Sequence, residues 1–188
     1  MPGRYFRLTD DLHVPGRWHL RTPLDMKGQE LNPWQFTKAH PVRVDGRPRI
    51  PLRVLGQPLD FTLGGLDIPV VHSKAAALLL ELAPQDIQLI PVEVEGQTDS
   101  FSVLVATRLV QCIDDGASEE VRYWKPEDGR PEKVGQYRVV AGMRIDAAKV
   151  GDAQVFRTWG WTVALIVSER IKLALEHAGV TGLRFQEV

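Results

Sequence analysis

One cysteine, no long apolar run and a formal net charge of only −1 are what this 188-residue chain has least of, and each shortage excludes something. A lone thiol, Cys112, allows no internal disulfide and no cysteine-based metal site. Its neighbours Leu109, Val110 and Ile113 mark it as a buried small hydrophobe. The longest apolar stretches, Ala75–Leu80 and Val163–Val167, fall well short of the roughly 20 residues that a spanning helix needs. No apolar leader follows the first methionine, because Arg4, Arg7, Asp10 and Asp11 interrupt it. The expected setting is therefore a reducing cytoplasm. A nearly balanced charge supplies no field to hold nucleic acid or a membrane surface, and neither is expected as a direct partner.

Catalytic constellations are also missing. The histidines His13, His19, His40, His72 and His177 form no HExxH pattern and have no carboxylates at ligand spacing, so no metal is expected. Ser73 and Ser168 lie outside any Gly-x-Ser-x-Gly elbow, and Gly64-Gly65 is followed by no phosphate-loop lysine. With no nucleophile, acid/base pair or cofactor motif, the residues describe a scaffold and nominate no enzyme.

What is present is a patterned α+β chain. Residues 1–60 hold eight of the thirteen prolines, which disfavours long helices there. Short alternating pieces, Tyr5–Leu8, Trp18–Leu20, Pro41–Val44 and Leu52–Leu55, read as strands or extended edges, with Trp18, Trp34, Phe36 and Phe61 as anchors. From residue 61 the pattern changes. Ser73 is placed to cap a helix over about 73–83 that Pro84 ends. Ile87–Val94 and Phe101–Val110 follow as an antiparallel hairpin. Tyr137–Val140 and Met143–Ile145 read as short strands, and Asp146–Lys149 as a helical turn. Val155–Trp161 and Thr162–Val167 are strand material. Ser168 caps a second helix over about 168–178, Gly179 stops it and Leu183–Phe185 closes the sheet. The expectation is one α+β domain over 1–188, mainly antiparallel sheet with two principal helices. The second unit echoes the first at a spacing of ninety-five, with Leu80, Glu81 and Ala83 matching Leu175, Glu176 and Ala178. Either a duplication or two independent uses of one unit explains the echo.

Two clusters are candidates for meeting a partner. Asp114, Asp115, Glu119 and Glu120 form the densest acidic group. Such a loop can bind Mg²⁺ or run acid/base chemistry, but it is more often a solvated surface, or a face for a basic protein. Residues 1–60 carry ten Lys/Arg against six Asp/Glu, and residues 61–188 thirteen against eighteen, which leaves the second half acidic. Tyr123, Trp124, Trp159 and Trp161 are the aromatic group. A base-stacking platform would need a basic stripe beside it, and here Lys125, Arg130 and Lys133 alternate with Glu127, Asp128 and Glu132. Core or interface packing is the better reading.

Laid out in order, Gly16–Leu20, Pro33–Phe36, Pro58–Phe61, Cys112–Asp115, Pro126–Gly129, Lys133–Arg138, Ile145-Asp146, Val155–Arg157 and Ala164–Glu169 resemble the bacterial immunity protein eleven family, from about residue 4 to the C-terminus. The resemblance implies a cytoplasmic protein that binds and neutralises a cognate toxin delivered between bacterial cells and encoded by the adjacent gene. It transfers no catalytic or toxin-contact residue to this chain. Asp114, Asp115, Glu119, Glu120, Trp124, Trp159 and Trp161 are therefore contact candidates on physical grounds alone. A ligand-binding or regulatory module, or a toxin-modifying enzyme, remains the alternative.

Overall fold

A computed structural model describes residues 3–188. The chain passes twice through one succession of elements. The first pass runs through β1 (Tyr5–Asp10) and a proline-rich segment with β2 (His19–Leu20), β3 (Arg49–Ile50) and β4 (Leu52–Val54). It continues into β5 (Phe61–Gly64), β6 (Ile68–His72), α1 (Ser73–Leu82) and β7 (Ile87–Val94). The second opens with β8 (Phe101–Ala106) and β9 (Leu109–Val110), then a segment carrying β10 (Glu120–Tyr123) and β11 (Tyr137–Ala141). It ends with β12 (Val155–Thr158), β13 (Trp161–Ser168), α2 (Glu169–His177) and β14 (Leu183–Glu187). The α+β expectation holds, and both helices fall where the sequence placed them.

Two five-stranded sheets result, ordered β3-β7-β8-β6-β5 and β14-β1-β13-β12-β9. In each, a helix joins two parallel strands, β6 to β7 or β13 to β14, and an antiparallel strand fills the slot between them. The filler of the first sheet is β8, from the second pass; that of the second sheet is β1, from the first. The halves exchange their opening strands.

Register makes the equivalence residue by residue. His72 pairs with Phe101 and Val71 with Ser102 in the first sheet; Ser168 pairs with Tyr5 and Val167 with Phe6 in the second. The helix starts agree. The Ser73 N–H donates to the Ser100 carbonyl and the Glu169 N–H to the Arg4 carbonyl, both at 2.9 Å. The N-caps are thus His72, whose Nδ1 accepts from the Lys74 N–H at 3.2 Å, and Ser168, whose hydroxyl accepts from the Ile171 N–H at 3.4 Å. This corrects two expectations. Ser73 is the first helical residue and the cap is the histidine before it. The spacing between the units is ninety-six (72 to 168), which aligns buried Ala75 with Ile171 and Leu79 with Leu175. A spacing of ninety-five sets Leu80, 52% exposed, against enclosed Leu175. Burying a leucine contributes about 1.5–3 kcal/mol, so the buried stripe decides the alignment.

The helices lie against each other between the sheets. Lys74 Nζ, in the first turn of α1, donates to the Gly179 carbonyl at 3.1 Å, beyond the end of α2, where a cation meets the negative end of the helix dipole. Phe6, Leu8, Phe61, Val71, Leu104, Val155 and Val167 close this central core from the two sheets. Glycine is required where α2 returns to the sheet. Gly182 has φ +85°, and a Cβ there would lie 2.3 Å from the Phe61 carbonyl oxygen.

Each sheet's other face is roofed by the segment that precedes its hairpin. Residues 11–59 cover the first, with Trp18, Leu20, Phe36, Ile50 and Leu59 packed on Ile68, Val70, Val92, Phe101 and Val103. Residues 111–153 cover the second, with Cys112, Ile113, Tyr137, Met143 and Val150 packed on Tyr5, Phe156 and Ile166.

Several local expectations change. Pro41–Val44 is irregular, because the Gln88 side chain takes both backbone groups of Val42 at 2.8 Å and replaces a strand partner. Met143–Ile145 makes a single bridge, Ile113 to Ile145. The long strand expected over Phe101–Val110 breaks at Thr107-Arg108, where Arg108 pairs with Asp86 and Asp152, and β9 crosses to the second sheet.

Candidate functional site

The second cover carries the acidic cluster and, of the aromatic one, Tyr123 and Trp124; Tyr123 joins the acidic loop on one side of Tyr137, while Trp124 lies on the other. On one side lies the acidic loop. Asp114 is occupied locally, its Oδ1 accepting from the Gly116 and Ala117 N–H groups at 3.0 Å. Asp115 accepts the hydroxyls of Tyr123 and Tyr137, the latter at 2.8 Å, beneath two tyrosine rings stacked 4.8 Å apart. Glu120 begins β10 and pairs with Arg122 at 2.5 Å. Of the four, only Glu119 has a carboxylate with no hydrogen bond or ion pair to the described residues. Asp114 and Asp115 therefore hold the loop's shape. Burial pushes the Tyr137 phenol well above the ordinary tyrosine range, helped by its bonds to Tyr123 and Asp115. The bond to Asp115 raises Tyr123.

On the other side is a cleft of about 660 Å³ between the two covers. One wall is the first cover's turn Pro33–Phe36, capped by Asn32 accepting from the Trp34 N–H at 3.1 Å. Phe36 is wholly enclosed and anchors this turn, which leaves Trp34 53% exposed; that indole was expected among the anchors and is a surface group. The opposite wall is Trp124, with Lys133 Nζ and the Arg138 guanidinium each 5.1 Å from its ring. Contacts of this kind contribute about 0.5–1 kcal/mol at exposed sites. Gly160, in the turn between β12 and β13, and Trp161, Thr162 and Val163, at the start of β13, complete the lining. Gly160 has φ +74° and a Cβ there would sit 2.9 Å from the Tyr137 ring, so the turn can pass under the second cover only without a side chain.

The cleft's fourteen lining residues include Lys38, His40, Lys133 and Arg138 and no Asp or Glu. Arg138 is matched by Asp128 at 2.5 Å. Lys38 and Lys133 form no ion pair among the described residues. Of the predicted aromatics, Trp124 and Trp161 meet here; Trp159, 37% exposed, stays outside the lining. Trp34 was missed as a contact candidate, since nothing local to it signals that its partners lie ninety and more residues away.

Cys112 is inert by position, its thiol pushed up to about 12 chiefly by burial. Among the described residues no three His, Cys, Asp or Glu side chains gather to hold a metal ion, and no helix is long and apolar enough to cross a membrane.

Fold and surfaces together define a two-sheet α+β scaffold that displays an acidic loop and a cationic, indole-lined cleft side by side. The chain matches the immunity protein family (Imm11) over residues 1–188 and belongs to it. A comparison with curated proteins finds no match.

Proposed function

We propose that this protein neutralises a cognate toxin by stoichiometric binding in the cytoplasm, without turnover, and that the toxin is the product of the neighbouring gene. Membership of the immunity protein family supports the toxin-directed role. The observation that carries the contact surface is the cleft between the two covers. Trp34, Trp124 and Trp161 present broad apolar faces beside two unmatched lysines, and partly exposed indoles near cations are the groups that most often dominate protein interfaces. The partner places an acidic, apolar segment in this cleft. The acidic loop beside it, Asp114, Asp115, Glu119 and Glu120, meets a basic part of the same toxin. Its exposed charge raises the rate of encounter more than the final affinity.

The test is co-expression with the neighbouring gene's product, followed by gel filtration. A 1:1 complex and restored growth are expected. Trp124→Ala with Trp161→Ala should weaken the complex by about 2 kcal/mol or more while the isolated protein stays folded. Protection by this protein far below the toxin in molar amount would mean turnover and overturn the reading.

A further inference from the structure

β1 pairs with β13 only where Tyr5, Phe6 and Arg7 face Ser168, Val167 and Ile166, although β1 runs on to Asp10 and β13 begins at Trp161. Beyond Arg7 the strands part, and a cleft of about 270 Å³ opens between them, lined by Arg7, Asp10, Asp67, Arg157 and Arg184 among others. Three arginines thus line the gap where a sheet would ordinarily close.

Arg157 is the unusual member. It sits on β12 and is 1% exposed. Its Nη1 donates to the Thr162 and Val163 carbonyls at 3.0 and 3.2 Å, but Nε and Nη2 have no partner, nor has Arg7 Nε. The carboxylates nearby do not answer this charge. Asp10 already accepts from Arg17 at 2.6 Å and from the Leu63 N–H at 3.2 Å. Asp67 lies exposed at the rim and forms no ion pair among the described residues. Burial lowers the Arg157 guanidinium to about 10, with Asp67 opposing and Arg7 adding to the fall. It is still a cation at neutral pH. A buried cation with unmade hydrogen bonds is strongly unfavourable unless an anion joins it.

We propose that this cleft binds a phosphate-class oxyanion, held by Arg157 from within and by Arg7 and Arg184 from its walls. Guanidinium forks match tetrahedral oxyanions with paired, charge-assisted hydrogen bonds, and a dianion balances the cations that Asp67 leaves uncompensated. The oxyanion is either free phosphate or the phosphate of a small ester; the site adjoins the indole-lined cleft, since Val163 lines both.

The experiment is titration calorimetry and thermal unfolding of the full chain with inorganic phosphate, against chloride at equal ionic strength. Saturable binding and a raised Tm in phosphate are expected; equal Tm in both salts overturns the proposal. Arg184→Gln, on the exposed wall, should fold normally and bind phosphate about tenfold more weakly; unchanged affinity overturns it too. Arg157→Met should lose the phosphate-dependent rise in Tm and, in chloride, unfold no earlier than the parent protein. If that variant does not fold, Arg7→Gln read beside Arg184→Gln decides in its place, by the same expected loss of affinity. A nucleoside monophosphate that binds more tightly than phosphate, while its nucleoside does not bind, assigns the site to an ester; equal affinities assign it to the free ion.

Discussion

The two halves of this protein repeat strand, cap, helix and strand at matching registers, whereas the segments that roof them share nothing. The first roof is proline-rich and hangs on Trp18, fully enclosed, whose indole N–H donates to Thr62 Oγ1 at 2.8 Å and whose ring lies 5.4 Å from Phe101. The second is a hairpin with three short 3₁₀ turns, held by smaller groups such as Met143 and Val150 and by the stacked tyrosines. Hydrogen-bond geometry constrains the repeated part, since a sheet tolerates no slip that turns its apolar face outward. A roof need only bury that face, so it is free to differ. Ten of the fourteen residues lining the indole-lined cleft belong to the two roofs, the part of the molecule that the repeat leaves unconstrained.

The largest test of this contrast is to remove each roof's anchor. Trp18→Ala should cost about 3–5 kcal/mol in urea unfolding, and Met143→Ala about 2 kcal/mol; equal losses would mean that the roofs are held alike. Next comes the tie between the halves. Arg17 of the first roof meets Asp10 of β1 with both side chains almost fully buried, and Asp10→Ala should cost about 3–5 kcal/mol by leaving that guanidinium unpaired. The caps sharpen the likeness: His72→Ala and Ser168→Ala should each lose about 1 kcal/mol, and a loss confined to one would break the equivalence drawn from register.

A smaller effect belongs to pH. A phenol raised on folding stabilises the protein below the unfolded tyrosine value of about 10, and that contribution is lost as pH climbs towards the folded value. Tyr137→Phe should therefore flatten the fall in stability above about pH 10, which unfolding curves at successive pH values will show. Smallest of all, Glu119→Lys with Glu120→Lys should change stability by no more than about 0.5 kcal/mol. The same pair should slow association with the toxin at low salt, read by stopped-flow mixing. Asp114 and Asp115 are unsuitable for charge reversal, because the loop's own N–H groups and tyrosine hydroxyls depend on them.

What was legible in the sequence was local. Helix period, the Ser168 cap, the Gly179 stop and the hairpin of β7 and β8 follow from residues within a turn or two of one another. The His72 cap was shadowed by the serine beside it, because a hydroxyl is the commoner capping group. Strand exchange was not legible, since β1 finds its partners more than 150 positions away and its alternation fits any sheet. Arg157 escaped notice for a related reason: a charged residue in a strand reads as its solvent face, and only the packed structure shows both faces of β12 buried. The acidic and aromatic groups were visible as composition, but which carboxylates the loop consumes and which indoles share a cleft depend on folding.

The exchanged strands also bear on synthesis. β1 is made more than 150 residues before either strand that flanks it, β13 or β14. Nor can the first sheet close before β8 has been added. Each half waits on the other, so the nascent chain must carry β1 unpaired until β13 has been added. Long-range pairing of this kind makes folding slow relative to chain length and leaves strand edges open meanwhile. Loss of β14 alone, Leu183–Glu187, would strip β1 of one of its two neighbours.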